Sequence, residues 1–285
     1  MTIHDLDSVS ILIFDLKNFS GTDTDLFAQL RSAGATDGDI ERILKYANRK
    51  DRMRTAAAEL IVRRNISHHV PSLHIMRTCP TTNSPTKPYL VSTNLNLANF
   101  PIPQFNITHD CDIIAVAFST PSVSVGIDVM KIAIPTSCDT SQDFFAIMKN
   151  VFTQKEWQYI NCFSNVNKSS LRRFFHLWTA KEAFLKCIGT GLYTEPSSVE
   201  ISIEGSFSKG IGEAKISGMD KFFVKIFDEL VSGYIVSVCI GRLEDCDQNW
   251  ASLLPPMPPP SLCEKNSPES SLSNKQFRFI HLDEL

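Results

Sequence analysis

The sequence predicts an α+β fold built from two related halves, and three observations carry that prediction. Short β-rich apolar runs bound each half, stretches with helical apolar spacing lie between them, and the order repeats past the middle of the chain. A chain of 285 residues with 43% hydrophobic content has material for one large domain or two of ordinary size.

The elements follow in order. "SVSILIFDL" is a short β-rich run between polar residues and reads as a strand. In "TDGDIERILKYA", Asp37 or Asp39 is placed to cap a helix. "RKDRMRTAAAELIVRRNISHHV" carries Met53, Ala57, Leu60 and Ile61 at helical spacing, with Arg52, Arg54, Arg63 and Arg64 mostly flanking that stripe. "RTCPTTNSPTKP" has a loop composition and introduces "FNITHD" and the buried-looking strand "IIAVAFST". "SVSVGIDVMKI" then opens the second half as a strand. "SQDFFAIMKNVFTQKEWQYINCF" and "FHLWTAKEAFLKCIGTGL" are helical, and the strands "SVEISIE", "KFFVKIF" and "YIVSVCI" close it. The halves are therefore expected at 1–121 and 122–245. A Pro/Ser-rich linker is expected at 246–274, and a final segment at 275–285 that docks back as a strand.

With a formal net charge of −3 and a pI near 6.2, no bulk polyanion such as nucleic acid is expected as partner. The eight cysteines form neither a CxxC pair nor a dense framework, so free thiols in a reducing compartment are expected. Acidic residues near the N-terminus sit where a signal peptide needs positive charge, and no apolar run is long enough for a membrane. Both point to the cytosol. The terminal "LDEL" resembles a retention signal that a chain without an entry signal has no use for.

Three stretches carry candidate chemistry. Alternation along "GIDVM" puts Asp128 and Met130 on one side of a strand and Ile127 and Val129 on the other. A carboxylate among apolar neighbours needs a partner, either loop amides or a hard cation such as Mg²⁺. On the helix "FHLWTAKEAFLKCIGTGL", Trp178, Glu182 and Lys186 share one face at i, i+4 spacing, with Lys181 about 100° away. Trp178 is expected in the core. Glu182 with Lys186 is either a surface pair or half of an active site. In "FNITHD", Asn106, Thr108 and His109 adjoin the loop bearing Lys87, and Arg42 and Arg77 could add bidentate contacts to phosphate.

Taken together, "FNITH", "GIDVM" and "WTAKEAFLKCIGTGL" in this order resemble the 4′-phosphopantetheinyl transferases, in the larger, monomeric, pseudo-twofold eukaryotic type. The resemblance covers nearly the whole chain. "ERILKYANRKDRMRTAAAELIVRR" is similar to the family's Arg-bearing N-terminal helix, and "QFRFIHLDEL" to its C-terminal segment. It implies that Arg42, Arg77, Thr78, Thr86 and Lys87 contact coenzyme A, and that Asn106, Ile107, Thr108 and His109 line the nucleotide and phosphate site. It implies that Asp128 and Glu182 hold Mg²⁺, and that Glu182, Lys186 and His109 are the catalytic side chains. Coenzyme A would lie between the halves and donate its phosphopantetheine to a serine of an acyl or peptidyl carrier domain. Fatty acid synthase and an aminoadipate-pathway enzyme are among the partners implied. Glu182 would act as base, directly or through a metal-bound water, and Lys186 would stabilise phosphate charge.

Two departures stand out. Bacterial relatives of this size place a third acidic ligand where this chain has Met130, and a thioether is a poor ligand for a hard cation. "CPTTNSP" also lengthens the loop between Thr78 and Thr86. Two other readings stay open: a carrier-protein or coenzyme A binding module without turnover, and another Mg²⁺-dependent nucleotide phosphotransferase. The second lacks a GxxxxGK[ST] loop and any kinase-like motif.

Overall fold

In the computed structural model, residues 9–67, 73–80, 85–92, 102–162, 167–190, 194–246 and 277–282 are described. The chain forms two units, Met1–Ser122 with Ser252–Leu285, and Val123–Ala251. The first runs β1 (Val9–Asp15), α1 (Asp23–Ser32), α2 (Asp37–Leu44), α3 (Arg49–Ser67), β2 (Leu73–Thr78), β3 (Pro85–Ser92), β4 (Gln104–Asp110) and β5 (Ile113–Ser119). The second runs β6 (Val123–Lys131), α4 (Ser141–Ile147), α5 (Gln154–Ile160), α6 (Asn167–Ile188), β7 (Ile201–Ser208), β8 (Ile211–Ile216), β9 (Phe223–Asp228) and β10 (Tyr234–Arg242). A last strand, β11 (Phe277–Leu282), belongs to the first unit. Each unit thus reads strand, three helices, four strands, which is an α+β arrangement.

Capping chemistry starts four of the six helices. Thr22, Thr36, Thr140 and Thr153 each accept from the backbone three residues on, where an Asp or Glu returns the bond to the threonine amide. At α2 the cap is therefore Thr36, not Asp37 or Asp39. Asp39 is the returning acid, because the threonine hydroxyl reaches its amide at 3.2 Å. The same chemistry divides "SQDFFAIMKNVFTQKEWQYINCF". Thr153 and Glu156 nucleate a fresh helix, so two short helices stand where one helical stretch was expected.

In the first unit the sheet order is β11-β1-β5-β4, with β11 parallel to β1 and the other pairs antiparallel. The expected stripe Met53, Ala57, Leu60 and Ile61 of α3 is buried with Leu12, Phe14, Ile114 and Val116 of the sheet. Each large aliphatic side chain so buried contributes about 1.5–3 kcal/mol. β2 and β3 form a separate antiparallel pair. "PTKP" is therefore the start of β3 and not a loop, since proline is tolerated where a strand begins. Likewise "FNITHD" is β4. The Pro/Ser-rich stretch expected as a linker lies outside the described residues except for Cys246.

In the second unit the order is β6-β10-β9-β8-β7, all antiparallel, and α6 packs on β6 and β10. An aromatic cluster of Phe144, Phe145, Phe152, Trp157 and Phe174 ties α4 and α5 to α6. Trp178 stacks on Phe174 at 6.4 Å between ring centroids, so it serves packing. Among the described residues, no helix is long and apolar enough to cross a membrane.

Candidate active site

The site in the second unit begins with a glycine. A strand glycine marks either a bulge or a close backbone approach. Here a Cβ on Gly126 of β6 would collide with the Ala183 carbonyl oxygen and the Cys187 amide nitrogen of α6. Two polar ties hold that close contact. Ser124 Oγ donates to the Cys187 carbonyl at 2.5 Å, and the Thr179 and Ser237 hydroxyls share a 2.6 Å bond. Ser124, Gly126 and Asp128 alternate along one face of β6, so the chain that brings α6 onto Gly126 also brings it onto Asp128.

Asp128 is buried. Lys186 of α6 donates from Nζ to Asp128 Oδ1 at 2.6 Å and to the Ile127 carbonyl at 3.2 Å. Glu182, one turn earlier, is half-buried. Burial pushes its carboxyl above the usual range, the nearby Asp128 charge adds to that push, and Lys186 opposes it. The three residues read from two distant motifs therefore form one electrostatic group. Lys186 is thus engaged with Asp128, a partner that the spacing along its own helix does not show.

Around the helix from that group, Lys181 has the opposite fate. It is fully buried, and its Nζ pairs with Glu156 Oε2 at 2.8 Å and donates to the Pro196 and Val199 carbonyls. Glu156 also closes the α5 capping box and accepts from the Ile201 amide at 2.8 Å. Lys181 thus pins α5 and the segment before β7 to α6. Adjacent residues, Lys181 and Glu182, divide into architecture and candidate chemistry.

In the first unit, Arg42 of α2 and Arg77 of β2 both bond to Oε2 of the fully buried Glu59 on α3, Arg77 at 2.9 Å. Thr78, also on β2, uses its carbonyl to accept from the Tyr89 hydroxyl at 3.3 Å. Thr86 is half-buried and Lys87 buried, next to each other on β3. On β4, Asn106 and Thr108 are buried on one face, whereas Ile107 packs against the core and alternation puts His109, which is exposed, with it. The expected loop cradle is therefore a pair of strands, and its four β4 residues are split between two faces. Sequence reasoning did not single out Gly126, Glu59, Glu156 or Lys181 as site-building residues. Gly126 alone carried a signal, a glycine inside a strand pattern.

Among the described residues no group of three or more His, Cys, Asp or Glu is arranged to hold a metal ion. Two carboxylates remain, Asp128 and Glu182, with Met130 following on the strand. Oxygen donors few in number suit Mg²⁺, which keeps several waters or phosphate oxygens, and a cation would offset the burial and the Asp128 charge that together lift Glu182. The donor set fits the ion.

Comparison with known proteins finds one recurring family. Residues 124–239, which span β6 to β10, match the family model of the 4′-phosphopantetheinyl transferase superfamily. The chain is 37% identical over 165 residues to the L-aminoadipate-semialdehyde dehydrogenase-phosphopantetheinyl transferase of Mus musculus, covering 57% of this chain and 51% of that protein. It is 30% identical over 167 residues to a phosphopantetheinyl transferase of Thraustochytrium sp., covering 56% and 54%. It is 28% identical over 202 residues to the 4′-phosphopantetheinyl transferase gsp of Aneurinibacillus migulanus, covering 70% and 73%. The chain spans about half the length of the first two of these relatives.

Proposed function

Because residues 124–239 carry a domain of the 4′-phosphopantetheinyl transferase superfamily, we propose that the chain transfers 4′-phosphopantetheine from coenzyme A to a serine of an apo acyl or peptidyl carrier domain. Adenosine 3′,5′-bisphosphate would be the other product. The observation that carries the reading is the convergence of Asp128, Glu182 and Lys186 inside the matched residues, with Glu182 lifted by burial and by Asp128. A surface Glu–Lys pair would show neither feature.

Asp128 and Glu182 would hold Mg²⁺, which when bound draws charge from the pyrophosphate and orients it. Glu182, half-buried with a raised proton affinity, takes the proton of the attacking serine hydroxyl. Lys186 holds Asp128 in place and sets its positive charge beside the phosphate oxygens as charge builds on the leaving group. The attacking hydroxyl belongs to the carrier, so no protein nucleophile is required. In the first unit, Arg42, Arg77, Thr78, Thr86, Lys87 and the β4 residues Asn106, Ile107, Thr108 and His109 are kept as coenzyme A contacts, with His109 counted as catalytic. The name of the murine relative favours an aminoadipate-pathway carrier, with fatty acid synthase a second choice. The seven described cysteines are all free thiols, which supports a reducing compartment, and we assign the protein to the cytosol as a monomer.

The test is the intact mass of an apo acyl carrier protein after incubation with this protein, coenzyme A and Mg²⁺, beside a chelated control. A gain of one phosphopantetheinyl group seen only with metal is expected. Coenzyme A binding without any gain on several unrelated carriers would favour a binding module instead.

A further inference from the structure

The first unit contains a charged group in which, among the described residues, arginines outnumber carboxylates. Glu59 is completely buried in the middle of α3, and both of its oxygens are taken. Oε1 receives Arg63 through Nε at 3.2 Å and an Nη at 2.9 Å. Oε2 receives one Nη from each of Arg42 and Arg77. Arg63 is used up structurally. It also bonds to the Gly34 carbonyl at 2.7 Å and to Asp39 at 2.9 Å, and its side chain is 5% exposed. Arg42 and Arg77 are different. Each gives one nitrogen to Glu59, their side chains are 31% and 25% exposed, and Arg77 Nε is buried without an acceptor among the described residues.

Three arginines face two carboxylates, Glu59 and Asp39. Two like charges meet at one carboxylate oxygen, an arrangement that costs energy unless something anionic completes it. At Arg77 burial, more than anything else, draws the guanidinium below its usual range; Glu59 opposes that, and Arg42 adds a smaller push in the same direction as burial. An unsatisfied buried N–H beside a second guanidinium matches a phosphate, which accepts several charge-assisted bonds at once. Guanidiniums on separate elements, α2 and β2, would otherwise swing apart.

We infer that Glu59 is a positioning residue: its buried carboxylate clamps Arg42 and Arg77 into a two-guanidinium receptor for a phosphate of coenzyme A. The inference rests on the proposed function for the identity of the ligand. It assigns Glu59 no contact with substrate, and it separates Arg63, which only supports the clamp.

The experiment compares Glu59→Gln, Glu59→Asp and Arg63→Met in the full chain by steady-state kinetics against coenzyme A, alongside melting temperature. Glu59→Gln is expected to raise KM for coenzyme A about 10-fold or more with kcat within about threefold, since it removes a charge-assisted anchor from two binding groups and none from the reacting centre. Arg77→Met should raise KM by itself, and the double variant Glu59→Gln/Arg77→Met should raise it further through the released Arg42 but by less than the two single effects combined, because Glu59 and Arg77 act partly as a unit. Arg63→Met should lower the melting temperature and raise KM by clearly less than Glu59→Gln does, because it removes neither guanidinium of the receptor nor the carboxylate that holds them. If Glu59→Gln does not fold, Glu59→Asp carries the prediction, because it keeps the charge and withdraws it by one methylene, raising KM about threefold. A folded Glu59 variant with wild-type KM, or an equal rise in Arg63→Met, overturns the inference. Failure of the proposed function shows differently, as a wild type that transfers nothing. In that case the rise in melting temperature given by inorganic phosphate is the readout. It is expected in the wild type and lost in the Glu59 variants, and its absence from the wild type or its persistence in them overturns the clamp.

Discussion

Both long helices carry a charge into the interior, and the two charges are settled in opposite ways. On α6, Lys181 meets one carboxylate and two carbonyls, and every proton on its ammonium has an acceptor. On α3, Glu59 meets three arginines, and one of them keeps a buried N–H with no acceptor. Satisfaction marks architecture, whereas a surplus marks a place where something else is meant to bind. Neither could be told from composition, because a lysine and a glutamate on amphipathic helices usually face water.

The sharpest way to break the comparison is Lys181→Met. Removing one member of a fully buried pair leaves Glu156 uncompensated, and a loss of about 3–5 kcal/mol is expected by chemical denaturation. Affinity for coenzyme A in the folded fraction should not change; a tighter or weaker complex would move Lys181 from architecture into the site. Glu182→Gln comes next. Transfer should fall by about 10²-fold or more, and the melting temperature should not drop, because a half-buried carboxylate that burial and Asp128 both disfavour is being replaced by a neutral amide. Retained transfer would remove Glu182 from the chemistry. Gly126→Ala should cost about 1–3 kcal/mol through backbone overpacking and should slow transfer as well, since the new Cβ pushes α6 off the strand that presents Asp128. Measuring both on one preparation tests whether the close approach builds the site.

The smallest effect concerns Asp228. Burial pushes its carboxyl up, but hydrogen bonds from His176 at 2.9 Å and from Arg172 outweigh that and hold it below the usual range. A depressed carboxylate stabilises the fold above its unfolded value, and that contribution is lost as pH falls through the folded one. Asp228→Asn should therefore flatten the acid limb of the stability curve by on the order of 1 kcal/mol, with no change in transfer at neutral pH. A steep acid limb in the variant would assign acid sensitivity to other carboxylates.

How much of this was legible depended on whether a residue's partners were local. Glu182 and Lys186 could be placed on one helix face by spacing alone, and Asp128 on a strand face, because both periodicities are short-range. The meeting of the two faces turned on Gly126, which only a tertiary contact explains. Glu59 reads in sequence as an ordinary i, i+4 partner of Arg63, and its decisive neighbours come from α2 and β2. "PTKP" has the composition of a loop and nevertheless opens β3, because prolines at the start of a strand give up no ladder bond that the sheet needs. The break between α4 and α5 was written in Thr153 and Glu156 and was hidden by the aromatic run around it.

The pairing of Val9 with Phe277 has a consequence for synthesis. A ribosome releases β1 first and β11 only after the whole of Val123–Ala251 has emerged, so the newborn sheet β1-β5-β4 waits with one flank of β1 open. An open strand flank invites pairing with any extended chain nearby. Nascent copies on a crowded polysome are such chains, and the interval before residue 277 appears is when this protein is most in need of a chaperone.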